Sequence, residues 1–146
     1  MKKYSVTLTM VAVITCMVLA FAVAVAAPWL IKWFCELRDI SDKIGKMILS
    51  AYYICAVQAE AALFWLFKLL LNIRNNKMFD PVNPRYMLYI ASACLAVAAV
   101  CTVYGFWYMP LWFVSAAMYF LFLIVWVVRL CFITATEMKE ENDLTI

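Results

Sequence analysis

The chain has 146 residues, of which 69% are hydrophobic and only 14% are charged, and its net charge at neutral pH is +3. A soluble domain carries about 45–50% apolar and about 25% charged residues, so this composition excludes an ordinary soluble domain. The positive charge falls mostly beside apolar runs, where it indicates membrane topology and disfavours direct binding of nucleic acid.

Four apolar runs are each long enough to cross a bilayer. They cover about residues 6–27, 48–71, 86–108 and 111–133. The sequence therefore predicts an all-α polytopic membrane protein, a bundle of four transmembrane helices. We predict a single transmembrane domain over residues 1–146, because two Gly and four Pro leave no room for a flexible linker.

The first run begins after two lysines and ends in alternating Ala and Val, as a signal peptide does. It exceeds the 7–15 apolar residues of a typical signal sequence, so we predict a retained transmembrane helix. Small residues at Ala12, Cys16, Ala20 and Ala24 recur every fourth position, and such a stripe allows a neighbouring helix to approach closely.

Residues 28–46 place apolar side chains at steps of three and four between charged ones. This pattern predicts an amphipathic interfacial helix between the first and second spans. It is either a connector at the membrane surface or a lid or sensor over a site between the helices.

The second run contains Gln58 and Glu60, and an ionisable side chain inside a span indicates a functional site by default. Glu60 is a candidate site for a cation, a proton or a cationic ligand. The structural alternative is a neutral Glu60 that hydrogen-bonds to Gln58, Ser92, Ser115 or a tyrosine hydroxyl and holds helices together.

The loop over residues 72–85 is rich in turn residues, and Asp80 or Asn83 is expected to cap the third helix. In that helix, small residues alternate at steps of three and four, which predicts a central position in the bundle. They are Ala91, Cys94, Ala98, Cys101 and Gly105.

The fourth run is bulky, as in a helix that faces lipid or fills a groove. The acidic tail over residues 134–146 is expected to extend this helix by a turn or two before fraying.

Orientation follows from the distribution of Lys and Arg. Eight lie on the side that carries both termini and the 72–85 loop, and four lie on the other side. The positive-inside rule therefore favours cytoplasmic termini.

No set of catalytic residues assembles along the chain. There is no histidine, no Gly-rich phosphate loop and no metal-ligand spacing, and every carboxylate except Glu60 falls in a loop or the tail. Six cysteines include no CxxC pair, and their spacing does not offer paired thiols. We therefore expect a protein that is not an enzyme, with no cofactor and no metal.

Two stretches resemble a bacterial membrane family known as domain of unknown function 2975. One is the loop and third helix, with Phe79, Asn83 and Arg85, and the other is the acidic ending Glu141-x-Asp143-Leu144-Thr145-Ile146. The resemblance implies a bacterial inner-membrane protein, often encoded beside a small Cro-type helix-turn-helix regulator.

That resemblance leads to the expected function, a membrane-side regulator or sensor that contacts a small cytoplasmic transcriptional regulator. The alternative is a small transporter or ligand-binding membrane protein that uses Glu60. Other expected partners are the lipid bilayer and a second copy of the chain, because small-residue stripes also serve contacts between copies. The residues expected to contact the regulator are Arg74, Lys77, Asp80, Arg85, Glu141, Asp143, Leu144 and Ile146.

Overall fold

A computed structural model describes residues 2–145 and shows four α-helices, with no strand in that range. The helices are α1 (Lys2–Arg38), α2 (Asp42–Arg74), α3 (Val82–Tyr104) and α4 (Pro110–Leu144). Each helix is long and apolar enough to cross a membrane. The predicted all-α fold with four spans is confirmed, and the chain is a multi-pass membrane protein.

The helices pack in chain order. α1 contacts α2, α2 contacts α3 and α3 contacts α4, and no other helix pair is in contact within residues 2–145. One side of the molecule therefore carries the start of α1, the loop over 75–81 and the end of α4, and we call it the termini side. The other side carries the turns over 39–41 and 105–109, and we call it the turn side.

The small-residue seam of α3 is buried along its whole length, as predicted: Ala91, Cys94, Ala98, Cys101 and Gly105. The absence of large side chains lets the neighbouring helices approach closely. At Gly105, an added Cβ would lie only 1.6 Å from Trp112 Cδ1, so only glycine fits beside this indole ring.

The first half of the small-residue stripe of α1 does not pack within the bundle, because Ala12 and Cys16 are exposed. A step of four residues advances about 400° around a helix, so such a stripe drifts away from a fixed neighbour. The less exposed side of α1 instead alternates steps of three and four: Met10, Val13, Met17, Ala20, Ala24 and Ala27. Medium-sized side chains thus share this contact with the small ones.

The separate interfacial helix predicted over residues 28–46 does not form. α1 continues through Pro28 to Arg38, and α2 already begins at Asp42. A proline has no N–H, so it leaves the carbonyl of the residue four positions earlier without its helical partner. Here the Tyr53 hydroxyl of α2 donates to the Ala24 carbonyl at 3.2 Å, so the freed acceptor is satisfied and the helix continues.

The helices α1 and α2 end with the same backbone motif. After α1, the Ile40 N–H donates to the Cys35 carbonyl at 3.0 Å, with Asp39 at φ 52°. After α2, the Lys77 N–H donates to the Asn72 carbonyl at 2.9 Å, with Asn76 at φ 59°. Both are helix ends in which one residue adopts the left-handed conformation, a position usually held by Gly and sometimes by Asn.

The acidic tail is more regular than predicted, because α4 runs without interruption to Leu144. On the termini side, Arg129 Nε donates to the Pro84 carbonyl at 3.1 Å, which marks the level of the start of α3. The fifteen residues beyond Arg129 carry α4 about 22 Å past that level at 1.5 Å per residue.

Candidate functional site

Glu60 lies close to the middle of the membrane-spanning part. Ser50 Oγ lies 3.2 Å from Tyr104 Oη at the turn side, and Asn72 Nδ2 donates to Asn83 Oδ1 at 2.9 Å at the termini side. The 22 residues between Ser50 and Asn72 correspond to about 33 Å of helix, similar to the hydrocarbon thickness of a bilayer. Glu60 is ten residues from Ser50, so it lies about 15 Å inside this span.

The Glu60 carboxyl oxygen Oε1 is buried and has no hydrogen-bond partner. Glu60 follows Tyr53 by seven residues and so lies on the same face of α2, the face whose Tyr53 hydroxyl reaches α1. The serines proposed as partners bond elsewhere, Ser92 to the Tyr89 carbonyl and Ser115 to the Ala98 carbonyl. The hydrogen bond expected from the structural alternative is therefore absent at Oε1.

Gln58 does not line a common site with Glu60. It lines a cavity of about 250 Å³, and Glu60 is not among the residues around that cavity. Residues two apart point in different directions on a helix. The cavity is bordered by all four helices, with Ala20 from α1 and Met118 from α4 on either side of α2 and α3. Its walls are almost entirely apolar, so Gln58 is one of its few polar groups.

Two cysteines meet between α2 and α3, although their spacing in the sequence did not predict a pair. Cys55 Sγ lies 4.0 Å from Cys101 Sγ, and both thiols are free. Cys101 belongs to the buried seam of α3 and Cys55 faces it from α2. No pattern within either helix could have revealed this contact, because it depends on the register between the two helices.

A second polar contact missed in the sequence joins α3 to α4. Ser115 Oγ donates to the Ala98 carbonyl at 2.9 Å and lies 2.6 Å from Thr102 Oγ1. Ser115 is the buried polar residue of α4. Hydroxyl groups that bond across helices are a common device for holding spans together in lipid.

Asn83 organises the loop on the termini side. Its side chain is fully buried, and its Nδ2 donates to the carbonyls of Lys77 at 2.8 Å and Met78 at 2.9 Å. Its Oδ1 accepts from Asn72 at 2.9 Å. The Asn-Pro dipeptide indicated a turn, but the three bonds that fix the loop depend on tertiary contacts.

Asp80 lies just before α3, where a capping residue was expected, and its Oδ1 accepts from the Val82 N–H at 3.0 Å. Such a bond satisfies one of the unpaired N–H groups of the first helical turn. Among the residues expected to contact a partner, Asp80 is therefore occupied by a structural role.

The loop and the α4 extension adjoin, as a shared contact surface requires. Lys139 Nζ lies 4.6 Å from the centre of the Phe79 ring. Most of the remaining residues expected at the partner contact are exposed on these two segments: Arg74, Lys77, Arg85, Glu141, Asp143 and Leu144. Ile146 lies outside the described residues. We call residues 74–85 together with residues 134–145 the termini-side surface.

No group of three or more Cys, Asp or Glu side chains within the described part of the chain is arranged to hold a metal ion.

The sequence model of a family described as a protein of unknown function, DUF2975, matches residues 1–146. The chain belongs to this family. No curated protein and no solved structure matches the chain.

Proposed function

We propose that this protein is a bacterial inner-membrane regulator, with cytoplasmic termini, that acts by contact and not by catalysis. Its partner is a small soluble transcriptional regulator, which binds the termini-side surface. The excess of Lys and Arg on this side supports its cytoplasmic orientation. Membership of DUF2975 is compatible with this proposal, since nothing is established about the family's activity.

The observation that carries the proposal is the contact between Lys139 and Phe79. It joins the acidic extension of α4 to the loop fixed by Asn83, so two segments far apart in sequence form one surface. The extension carries four carboxylates and one lysine over residues 134–146. Transcriptional regulators present basic surfaces to DNA phosphates, and an exposed acidic helix is complementary to such a surface.

The test is co-purification of the full-length membrane protein with the helix-turn-helix regulator encoded beside it. Replacing the three exposed carboxylates Glu140, Glu141 and Asp143 by Lys is expected to abolish the complex. These side chains make no contact that holds the fold together, so expression and thermal stability should stay unchanged. Raising the salt concentration is expected to weaken the wild-type complex, because exposed charges are screened.

A control reverses charges on the turn side, with Glu36 and Asp42 replaced by Lys and with Asp39 left in place because of its positive φ. That variant is expected to retain the regulator. Retention of the regulator by the tail variant, or equal loss in both variants, would rule out the termini-side surface as its binding site.

A second candidate function is supported by the buried, unpartnered Oε1 of Glu60. A carboxylate near the middle of the membrane-spanning part is suited to bind a cation or a proton. In this reading the protein is a small transporter or ligand-binding membrane protein, and Glu60 exchanges a proton for a hydrophobic cation.

Tetraphenylphosphonium is a suitable probe for this second function. The purified protein is expected to bind it, because a carboxylate inside the span attracts a hydrophobic cation. Glu60→Gln should abolish binding, whereas Glu137→Gln, which alters an exposed carboxylate of α4, should have no effect. Binding that survives in Glu60→Gln would eliminate this function.

A further inference from the structure

A cavity of about 390 Å³ lies between the end of α1 and the start of α2, on the turn side. Ile31 and Leu49 are half-buried in its lining, and Cys35 is buried. Five exposed charged side chains also line it: Lys32, Glu36, Asp39, Asp42 and Lys46. The cavity thus combines an apolar part with both signs of charge.

The α1–α2 hairpin reaches beyond the rest of the turn side. α2 begins eight residues before Ser50, which contacts the last residue of α3, so it projects about 12 Å past that level. Trp29 and Trp33 are exposed on α1 at the base of the projection, with 73% and 57% of their surface accessible. Exposed tryptophans mark the interface between bilayer and water, so the cavity lies at the level of lipid headgroups.

The charges in the cavity are ordered by depth on both helices. On α2, Lys46 is one turn beyond Ser50, and Asp42 is one turn further from the bilayer. On α1, Lys32 lies nearer the membrane, and Glu36 is one turn further out. Asp39 follows at the tip. A basic level thus lies below an acidic level, about 6 Å apart along the helix axes.

We propose that this cavity binds the headgroup of a zwitterionic aminophospholipid, phosphatidylethanolamine in chemical class. Such a lipid holds its phosphate next to the glycerol and its ammonium two carbons further toward water, in the same order as the two lysines and the three carboxylates. The phosphate accepts charge-assisted hydrogen bonds from Lys32 and Lys46, and the ammonium donates to Glu36, Asp39 and Asp42. The apolar lining receives the first carbons of the acyl chains.

The competing use of these charges is pairing within each helix, because Lys32 and Glu36, and likewise Asp42 and Lys46, are four residues apart. Exposed pairs of this kind contribute little to stability. They are therefore weak enough for a headgroup that bonds to both levels at once to replace them.

The conformation at the tip favours one variant for testing the acidic level. Asp39 has φ 52°, which Asn tolerates as well as Asp does. Asp39→Asn therefore removes a charge from the cavity and leaves the turn in place. Lys43→Gln is the matched control for the basic level, since Lys43 is an exposed lysine of the same hairpin that does not line the cavity.

The experiment is native mass spectrometry of the full-length protein, released from detergent and titrated with phosphatidylethanolamine, phosphatidylcholine or phosphatidylglycerol. We expect phosphatidylethanolamine to be retained most tightly. Phosphatidylcholine has no N–H group for the carboxylates, and phosphatidylglycerol has no cation. Lys32→Gln combined with Lys46→Gln should weaken phosphatidylethanolamine binding about tenfold or more, as loss of charge-assisted bonds predicts.

Asp39→Asn combined with Glu36→Gln should weaken phosphatidylethanolamine and leave phosphatidylglycerol unchanged or tighter, whereas Lys43→Gln should change neither. Circular dichroism verifies that every variant is folded. Equal retention of the three lipids, or unchanged binding in both cavity variants, would overturn the proposal. Soluble phosphoethanolamine that binds as tightly as the lipid would show that the ligand is a free headgroup, and would also overturn it.

Discussion

Asn83 and Glu60 are both polar side chains on membrane-spanning helices, and the structure treats them in opposite ways. Asn83 is fully buried, and all its polar groups take part in hydrogen bonds, two donated to the loop and one accepted from Asn72. Glu60 keeps a buried carboxyl oxygen with no partner. A satisfied buried polar group stabilises one conformation, whereas an unsatisfied one costs free energy and is retained for another reason.

The two sites also differ in what surrounds them. Asn83 lies in the first turn of α3, beside the loop that joins α2 to α3. Backbone carbonyls of that loop accept its hydrogen bonds. Glu60 stands in the interior of α2, where the helix satisfies its own backbone groups and leaves no carbonyl or N–H to share. A buried side-chain amide can therefore find hydrogen-bond partners at the end of a helix that the middle of a helix does not offer.

The largest effect is expected for Asn83→Ala. It removes three hydrogen bonds, to the carbonyls of Lys77 and Met78 and from the Asn72 amide. At about 0.5–1.5 kcal/mol for each bond, we expect a loss of about 2–4 kcal/mol in the free energy of unfolding. Unfolding by titration with sodium dodecyl sulfate measures it. Asn75→Ala, an exposed amide of the same loop, should have almost no effect. Similar losses in the two variants would mean that the Asn83 bonds do not stabilise the fold.

Some parts of this comparison were accessible from the sequence and others were not. The four spans and the buried seam of α3 followed from apolar length and from small residues at steps of three and four, since both depend only on neighbours along one helix. The fixed position of Asn83 did not, because its bonds to Asn72, Lys77 and Met78 depend on how the loop folds back onto the start of α3. Glu60 was singled out by its cost in lipid, but its lack of a partner depends on how the other helices pack.

The same distinction explains why the predicted interfacial helix over residues 28–46 does not form. A proline inside a helix leaves a carbonyl unpaired, and the sequence of one helix does not show which group from another helix can replace the missing partner. The replacement comes from Tyr53 on another helix, whose hydroxyl bonds to the Ala24 carbonyl. The turn-side hairpin, and with it the cavity between Lys32 and Lys46, exists because α1 continues past this proline.

An intermediate effect is expected for Tyr53→Phe, which tests a satisfied polar group on the same face of α2 as Glu60. It should lower the free energy of unfolding by about 0.6 kcal/mol, the average for hydrogen bonds between helices in membrane proteins, and by at most about 1.7 kcal/mol. In a Pro28→Ala background, residue 28 regains an N–H for the Ala24 carbonyl, so the same substitution should cost much less. Additive effects in this double-mutant cycle would separate Tyr53 from Pro28. Tyr119→Phe, on an exposed position of α4, serves as the control.

The smallest effect on stability is expected for Glu60→Gln, and its result decides whether Glu60 and Asn83 differ in role. No hydrogen bond to Oε1 is lost, and the amide cannot ionise in lipid, so the free energy of unfolding should stay within about 0.5 kcal/mol of wild type or rise. Glu60→Leu, which removes the polar group altogether, should raise it further in the same detergent titration. A clear loss of stability in both variants would show that Glu60 holds helices together as Asn83 holds the loop. Unchanged stability together with lost binding of tetraphenylphosphonium would instead leave function as the reason for a carboxyl group at this depth.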